Sequence, residues 1–418
     1  MTRIRLVYIT TAACSSGFLK GQLAYMRTRG FDVMFVSAPS EFKFGFDELH
    51  LLREREQITT LAIPLEREIN LLKDLVSLVR LYRVFRRLRP AIVNAGTPKA
   101  GLLGMLAARA AGVPVRIYSL HGLRLETSRG LKRFILAVAE RCTSALAHRV
   151  ICVSQSLRRL YVALGLTSED KICVLGNGSV NGVDVETFIP TSQAPALRSD
   201  LKIPDHAPVI GFVGRFTRDK GVPELLDAFD QVLAAIPSAW LLMLGDFEKS
   251  DPIPEDCVKR LRSHPRVVMT GNISETRSYY PIMDVFALPS YREGFPTVLL
   301  EAAAAQIPIV AFKSTGCVDA ISDGITGTLV PLGDTNSLAR ALQRYLCDDF
   351  LKREHGRLGR ERILRLFRSE TIWELLYEEY ERLLKTRSQI LFQRLMGSQD
   401  DARASKIEPR VRVLRQDL

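Results

Sequence analysis

A chain of 418 residues, 47% apolar and 25% charged, has a globular composition and is too long for one ordinary core, so two domains are expected. Its seven cysteines are scattered, with no Cys-x-x-Cys and no Cys/His cluster, which argues against a structural zinc site or a disulfide framework and for a reducing cytosol. The net charge of +12 is uneven: residues 1–183 hold 27 Lys and Arg against 13 Asp and Glu, a net of +14, so the first half calls for an anionic partner such as nucleic acid, a membrane surface or a phosphorylated substrate.

The opening MTRIRLVYITTAA passes from two arginines into a short apolar run without a cleavage-site pattern, so residues 3–9 are expected as a first strand and not a signal peptide. No eighteen apolar residues run together, and no transmembrane helix is expected. The small-residue loop TAACSSG leads to a helix over 18–29, closed by Gly30, and a second strand over 31–37. Such a βαβ opening with continuous apolar strands belongs to a parallel sheet covered on both faces. A short helix at 49–55 and a strand at 60–64 follow, then a long amphipathic helix over 71–88. Its polar face carries Lys73, Arg80, Arg83, Arg86 and Arg87, which makes it a surface helix that can also meet anionic lipid. Strands at 91–94, 115–119, 149–153 and 171–175 alternate with helices at 102–111, 132–147 and 156–164. His121 falls where the 115–119 strand meets its loop, on the edge where ligands bind. The stretch GNGSVNGVDVETF holds Gly176-x-Gly178-x-x-Asn181, a near miss to a dinucleotide fingerprint; with no third glycine and no long helix after it, a turn-rich domain exit is preferred.

Residues 191–207 are polar and proline-bearing, and 1–190 are assigned to the first domain with 191–207 as linker. A second alternating unit, 208–365, opens with the strand VIGFVGRF and the loop TRDKG, which place Arg215, Arg218 and Lys220 between a strand and the helix 222–236, either as a solvated turn or as a cationic clamp for a diphosphate. Strands at 240–244, 267–270 and 285–288 and a helix at 275–283 precede the stretch YREGFPTVLLEAAAAQIPIV. There Pro296 suits the first turn of a small-residue helix whose free N–H groups and dipole favour a phosphate. Glu293 sits before that helix and Glu301 roughly 7–8 Å along its axis. The strand 309–312, the turn-rich 315–330 and a helix over 335–348 follow. Residues 366–386 are expected as a helix packing back on the first domain, and 387–418 as a partly disordered tail, with low order from about 396. Cations and a helix mouth without an Asp-x-Asp pair or a Walker lysine loop suit departure of a diphosphate from an activated sugar.

Over roughly residues 1–385 the chain resembles the retaining family 4 glycosyltransferases of the GT-B fold, two doubly wound Rossmann-like α/β domains facing a cleft. The motifs that carry this are GFVGRFTRDKG, the Glu-x7-Glu stretch EGFPTVLLE and DGITGTLV. FLKGQLAYM, NAGTPKAGLLG, SLHGLRLE and VLGNGSVNGVD look like a bacterial branch that builds capsule, O-antigen or protein-linked glycans. The resemblance implies that Arg215 and Lys220 hold the donor diphosphate, that Glu301 meets the ribose hydroxyls, and that Glu293 faces the donor sugar beside the N–H groups of Gly294 and Phe295. It also implies that His121 acts from the first domain and that Gly17, Gly214, Asn272 and Thr297 lie along the donor. The family's first loop often has paired glycines where Ser15, Ser16 and Gly17 stand here, and many relatives carry a His near Asn94. No metal and no cofactor beyond a UDP-sugar substrate is implied, with an N-acetylhexosamine favoured. The acceptor would be a polyprenyl-diphosphate-linked or oligosaccharide glycan, and the enzyme would lie peripherally on the inner face of the cytoplasmic membrane with no nucleic-acid partner. A UDP-sugar 2-epimerase of the same architecture and a non-catalytic nucleotide-sugar sensor are the alternatives.

Overall fold

Apolar runs without alternation suit strands covered on both faces, and both sheets of this protein are built from them. A computed structural model describes residues 4–39, 47–66, 70–188, 194–248, 251–273 and 275–407. The first sheet holds β1 (Ile4–Ile9), β2 (Phe31–Ser37), β3 (Thr59–Ala62), β4 (Ile92–Gly96), β5 (Val115–Leu120), β6 (Arg149–Cys152) and β7 (Ile172–Val174) in the order β3-β2-β1-β4-β5-β6-β7. The second holds β8 (Val209–Val213), β9 (Trp240–Leu244), β10 (Val267–Met269), β11 (Val285–Leu288), β12 (Ile309–Phe312) and β13 (Gly327–Val330) in the order β10-β9-β8-β11-β12-β13. All pairings are parallel, with helices on both faces, as the doubly wound expectation required. Strand order reverses between β1 and β4 and again between β8 and β11. A crevice opens at each such switch point, at the carboxyl ends of the strands.

Most expected helices form within a residue or two. Leu71–Leu88 has its expected ends because the Asn70 side chain accepts from the Lys73 N–H and Arg89 turns left-handed at φ +47°. The first loop departs from expectation. Residues Ala13–Leu19 wind as a 3-10 turn, and the α-helix starts only at Gln22. The reason lies 35 residues away: the buried Glu56 carboxylate accepts from Gly21 N at 2.9 Å and Ala24 N at 3.0 Å, capping the helix from outside its own segment. Arg277–Ile282 is likewise a 3-10 stretch and not the expected α-helix, with Pro281 inside it. Pro296 is the N-cap, in extended conformation at ψ 105°, so the small-residue helix is Thr297–Ala304. Within the expected linker, Ala194–Asp200 forms a short helix whose Arg198 guanidinium donates to the Ile282 carbonyl at 3.0 Å. Residues 189–193 lie outside the described ones.

The chain ends in the helices Asp349–Leu366 and Ser369–Ile407. The second crosses to the first domain. Trp373 Nε1 donates to Asn181 Oδ1 at 2.6 Å, Asn94 Nδ2 donates to the Tyr380 hydroxyl at 2.7 Å, and Leu376, Tyr380 and Leu383 join the core under β1 and β2. A side chain at Gly21, which sits at φ +82°, would come within 2.5 Å of the Trp373 ring, so this docking needs the glycine. Helical backbone continues to Ile407, and residues 408–418 of the tail lie outside the described ones. Among the described residues no helix is long and apolar enough to cross a membrane.

Candidate active site

The switch point of the second sheet gathers the loop after β8 and the loop after β11. Gly221, at φ +66°, lets the first approach the second: a Cβ there would stand 2.0 Å from the Pro289 carbonyl. Tyr291 N donates to the Asp219 carbonyl at 2.8 Å. Two ion pairs then cross between the loops. Arg292 reaches Asp219 at 2.6 Å, and Lys220 donates to Glu293, which also accepts from Ser290 Oγ at 2.7 Å. Burial opposes ionisation of Asp219, but the Thr217 hydroxyl and the Arg292, Lys220 and Arg215 cations outweigh it and hold its carboxyl below the usual range. Arg215 itself is exposed and makes no hydrogen bond or ion pair among the described residues, and Gly214 joins it to β8. Thr297 opens the helix Thr297–Ala304, which has no side-chain cap, so its mouth offers unclaimed N–H groups. One turn on, Glu301 accepts from the Tyr280 hydroxyl at 2.6 Å, and burial, partly offset by that bond, raises its carboxyl. Asn272 lies exposed on the loop after β10.

The first domain closes on this face. His121 directly follows β5, and Gly294 packs on its backbone so tightly that a Cβ at Gly294 would sit 1.8 Å from the His121 carbonyl. The His121 ring lies against Gly96 at the end of β4. Burial without a charged partner lowers His121 to about 4, so at neutral pH it is an uncharged imidazole that can donate one hydrogen bond and accept another. Behind it, with Tyr8, Gln22 and Ser179, Asn94 and Ser119 line a small pocket. Ser119 Oγ donates to Asn94 Oδ1 at 2.7 Å, and Asn94 passes on to Tyr380. Asn94 is thus a buried link to the C-terminal helix. Phe295 packs on Phe367, with ring centroids 5.4 Å apart, and against Gly178. The near-miss stretch at 176–181 is a turn that receives Gln22 and Trp373, followed by a 3-10 turn at Val185–Thr187.

Lys220, Glu293, Gly294 and His121 therefore form one continuous chain of contacts. Gly17 is not part of it: it is exposed within the 3-10 turn, with no atom near where its Cβ would be. Lys20, three residues on, is close enough to Glu301 to favour its ionised form, so the first loop faces the second domain through a residue that sequence reading passed over. Glu126 was also missed. It accepts from Thr315 Oγ1 at 2.6 Å across the cleft, its other oxygen is buried without a partner among the described residues, and burial raises its carboxyl while Arg292 acts to lower it. Asp319 accepts from Ser156 N at 3.2 Å and from its hydroxyl, and Ser156 Oγ accepts from Gly316 N at 2.8 Å. The signal for Glu126 was its place in SLHGLRLE, five residues after His121; nothing local marks Asp319.

Two family models match the chain, "Glycosyl transferase 4-like domain" over residues 19–178 and "Glycosyl transferases group 1" over 207–348. The capsular polysaccharide biosynthesis glycosyltransferase CapM of Staphylococcus aureus is 34% identical over 385 residues, covering 92% of this chain and 99% of that protein. An Escherichia coli UDP-Gal:alpha-D-GlcNAc-diphosphoundecaprenol alpha-1,3-galactosyltransferase is 27% identical over 293 residues, 68% of this chain and 74% of its own length. Among solved structures, Anabaena Alr3699/HepE in complex with UDP-glucose shares the fold with a TM-score of 0.75 at 20% identity, over 91% of this chain and all of that one. One model thus falls on each doubly wound domain and a relative aligns almost end to end: the chain belongs to the family 4 glycosyltransferases of the GT-B fold, in the branch that builds bacterial glycans.

Proposed function

We propose that this enzyme transfers a sugar, with an N-acetylhexosamine favoured, from a UDP-sugar to a polyprenyl-diphosphate-linked glycan with retention of configuration. The observation that carries this reading is the contact chain Lys220–Glu293–Gly294–His121, which sets a cation, a carboxylate, backbone N–H groups and a neutral imidazole at one switch point. The E. coli relative, which uses a UDP-sugar and a diphosphoundecaprenol acceptor, supports the choice of donor and acceptor class.

In this reading the donor diphosphate lies between Arg215, Lys220 and the mouth of Thr297–Ala304, along Gly214, and draws Lys220 away from Glu293. Freed of its cation, Glu293 binds donor-sugar hydroxyls beside the N–H groups of Gly294 and Phe295. Glu301, steadied by Tyr280, accepts from the ribose hydroxyls. His121 hydrogen-bonds the sugar from the other domain without adding a charge. The bond from the anomeric carbon to the diphosphate oxygen breaks as the acceptor oxygen bonds to the same face, and the acceptor proton passes to the leaving diphosphate. Fixed cations and helix N–H groups stabilise the charge that develops there. No side chain is assigned as a covalent nucleophile.

The test is turnover with a panel of nucleotide sugars and a lipid-linked acceptor fraction, with and without EDTA, following free UDP, labelled lipid and the anomeric configuration of the product. Labelled lipid from a UDP-sugar with retained configuration, unchanged by EDTA, is expected. Epimerised sugar formed without acceptor would replace the reading with the 2-epimerase, and binding of UDP-sugars without turnover would replace it with the sensor.

A further inference from the structure

Glu126 lies in the loop after β5, and that loop is fixed from within its own domain. Leu125 is buried in the first core, the Arg133 guanidinium donates to the Leu125 carbonyl at 2.5 Å, and Ser128 Oγ donates to the Arg124 carbonyl at 2.7 Å. From this rigid base Glu126 reaches the second domain. Its Oε2 accepts from Thr315 Oγ1 at 2.6 Å, and Thr315 precedes Gly316, where a Cβ would sit 2.5 Å from the Gly294 carbonyl. Gly294 in turn packs on His121 and Gly122. Glu126 therefore belongs to the ring of contacts that brings Glu293 and His121 together.

The other oxygen, Oε1, is buried with no hydrogen-bond partner among the described residues. The same holds across the cleft for Arg292 Nε, in the loop after β11, whose Nη2 is given to Asp219 at 2.6 Å. The two side chains are near enough that the Arg292 charge acts on the Glu126 carboxyl. Buried polar atoms without partners are costly and few in folded proteins, so one on each wall of the same cleft calls for a ligand group. A phosphate or carboxylate there would oppose Glu126, and an ammonium would oppose Arg292. A hydroxyl suits both: its O–H donates to Oε1 and its oxygen accepts from Nε–H. The neighbours decide whose hydroxyl it is. Arg292 directly precedes Glu293, and Gly316 lies on the carbonyl of Gly294, the two residues set against the donor sugar in the proposed function.

We propose that Glu126 and Arg292 form a hydroxyl-reading pair, one residue from each domain, that closes on the donor sugar and sets which sugar is accepted. The inference rests on the proposed donor site. Thr315 occupies Oε2 and leaves Oε1 for the sugar. A sugar that lacks the hydroxyl, or carries it on the other face of the ring, leaves both protein atoms buried and unpaired. Sites of that kind discriminate far more strongly than apolar pockets do. UDP ends at its phosphate and brings no sugar hydroxyl, so the pair adds nothing to the affinity for UDP alone.

The experiment is calorimetric titration of the full chain with UDP, with the UDP-linked forms of glucose, galactose, N-acetylglucosamine and N-acetylgalactosamine, and with analogues of the tightest binder deoxygenated at one ring position at a time. For Glu126→Ala we expect UDP affinity within about twofold of the parent and at least tenfold weaker binding of the preferred UDP-sugar. One deoxy analogue should bind the parent at least tenfold more weakly than the full sugar and lose nothing further in the variant, which is the signature of a shared contact. Arg292→Lys keeps a cation beside Asp219 but removes Nε–H, and should lose the contribution of the same hydroxyl. Thr315→Val removes the bond across the cleft but neither reader, so the order of preference among the UDP-sugars should survive. Equal weakening of UDP and UDP-sugar by Glu126→Ala, or a Thr315→Val variant that reproduces every effect of Glu126→Ala, overturns the proposal in favour of a simple latch. A parent that discriminates against no deoxy analogue overturns it without any substitution. UDP binding with a sugar preference that ignores Glu126 refutes the pair alone, whereas a parent that binds neither UDP nor any UDP-sugar refutes the donor site and the pair with it.

Discussion

Lys220→Met should separate the structural and chemical roles of the central ion pair. The Lys220 and Glu293 side chains are 17% and 11% exposed, so removing the ammonium leaves a carboxylate largely out of water with Ser290 as its remaining donor. Breaking one side of a fully buried pair costs about 3–5 kcal/mol; the residual exposure and the Ser290 bond reduce this to about 2–3 kcal/mol here. Lys220→Met/Glu293→Gln removes the stranded charge and keeps a Ser290 partner, so it should recover most of that loss. Turnover should not recover. A cation that meets the leaving diphosphate is worth about 100- to 1000-fold in rate, and both variants lack it. The assay is urea unfolding followed by the fluorescence of Trp240, on β9 of the same sheet, in a Trp373→Phe background, beside steady-state release of UDP. Stability of Lys220→Met equal to its parent would refute the pairing in the free enzyme. Turnover within tenfold of the parent would refute the placement of Lys220 at the diphosphate.

Other consequences follow from the buried titratable groups and the closed cleft. Burial raises Glu140 to about 7, so the native state binds its proton more tightly than the unfolded chain does. Stability should therefore fall as pH rises from about 4.5 to about 7, by at most about 3 kcal/mol, and Glu140→Gln should flatten that slope in denaturation curves taken at pH 5 and pH 8. His121 has the opposite sign of effect on the same axis. With its native value lowered to about 4, its contribution is present above the unfolded value near 6.5 and is lost as pH falls toward 4. Its imidazole NMR shift should stay flat between pH 5 and 8, and a titration centred near 6.5 would contradict its burial. Asp319→Ala removes the acceptor of the Ser156 bonds that join the domains. Loss of about 1–2 kcal/mol of closure should raise the donor KM roughly 5- to 30-fold and enlarge the radius of gyration in solution scattering; unchanged values would show that these bonds do not hold the cleft.

Both domains and most elements were legible because their causes are local. The Leu71–Leu88 helix has its cap at Asn70, β2 is an uninterrupted apolar run, and the reversal of strand order follows from two successive βα units. Glu293 and Glu301 stood out for the same reason, as acids at the start and on the body of a helix of alanines and leucines. What the sequence could not decide depends on partners far along the chain. The start of the first helix moved to Gln22 because Glu56 caps it, and Asn94 became a link to Tyr380, 286 residues away. Lys220 meets Glu293 across 73 residues, and the charge of Lys20 in the first loop favours the ionised form of Glu301. Glu126 gained its role from Thr315, 189 residues on. Helix and strand periods are written in neighbouring residues, whereas the pairing of Lys220 with Glu293 exists only once the second domain has folded, and the backbone contact of Gly294 with His121 only once the two domains have closed on each other.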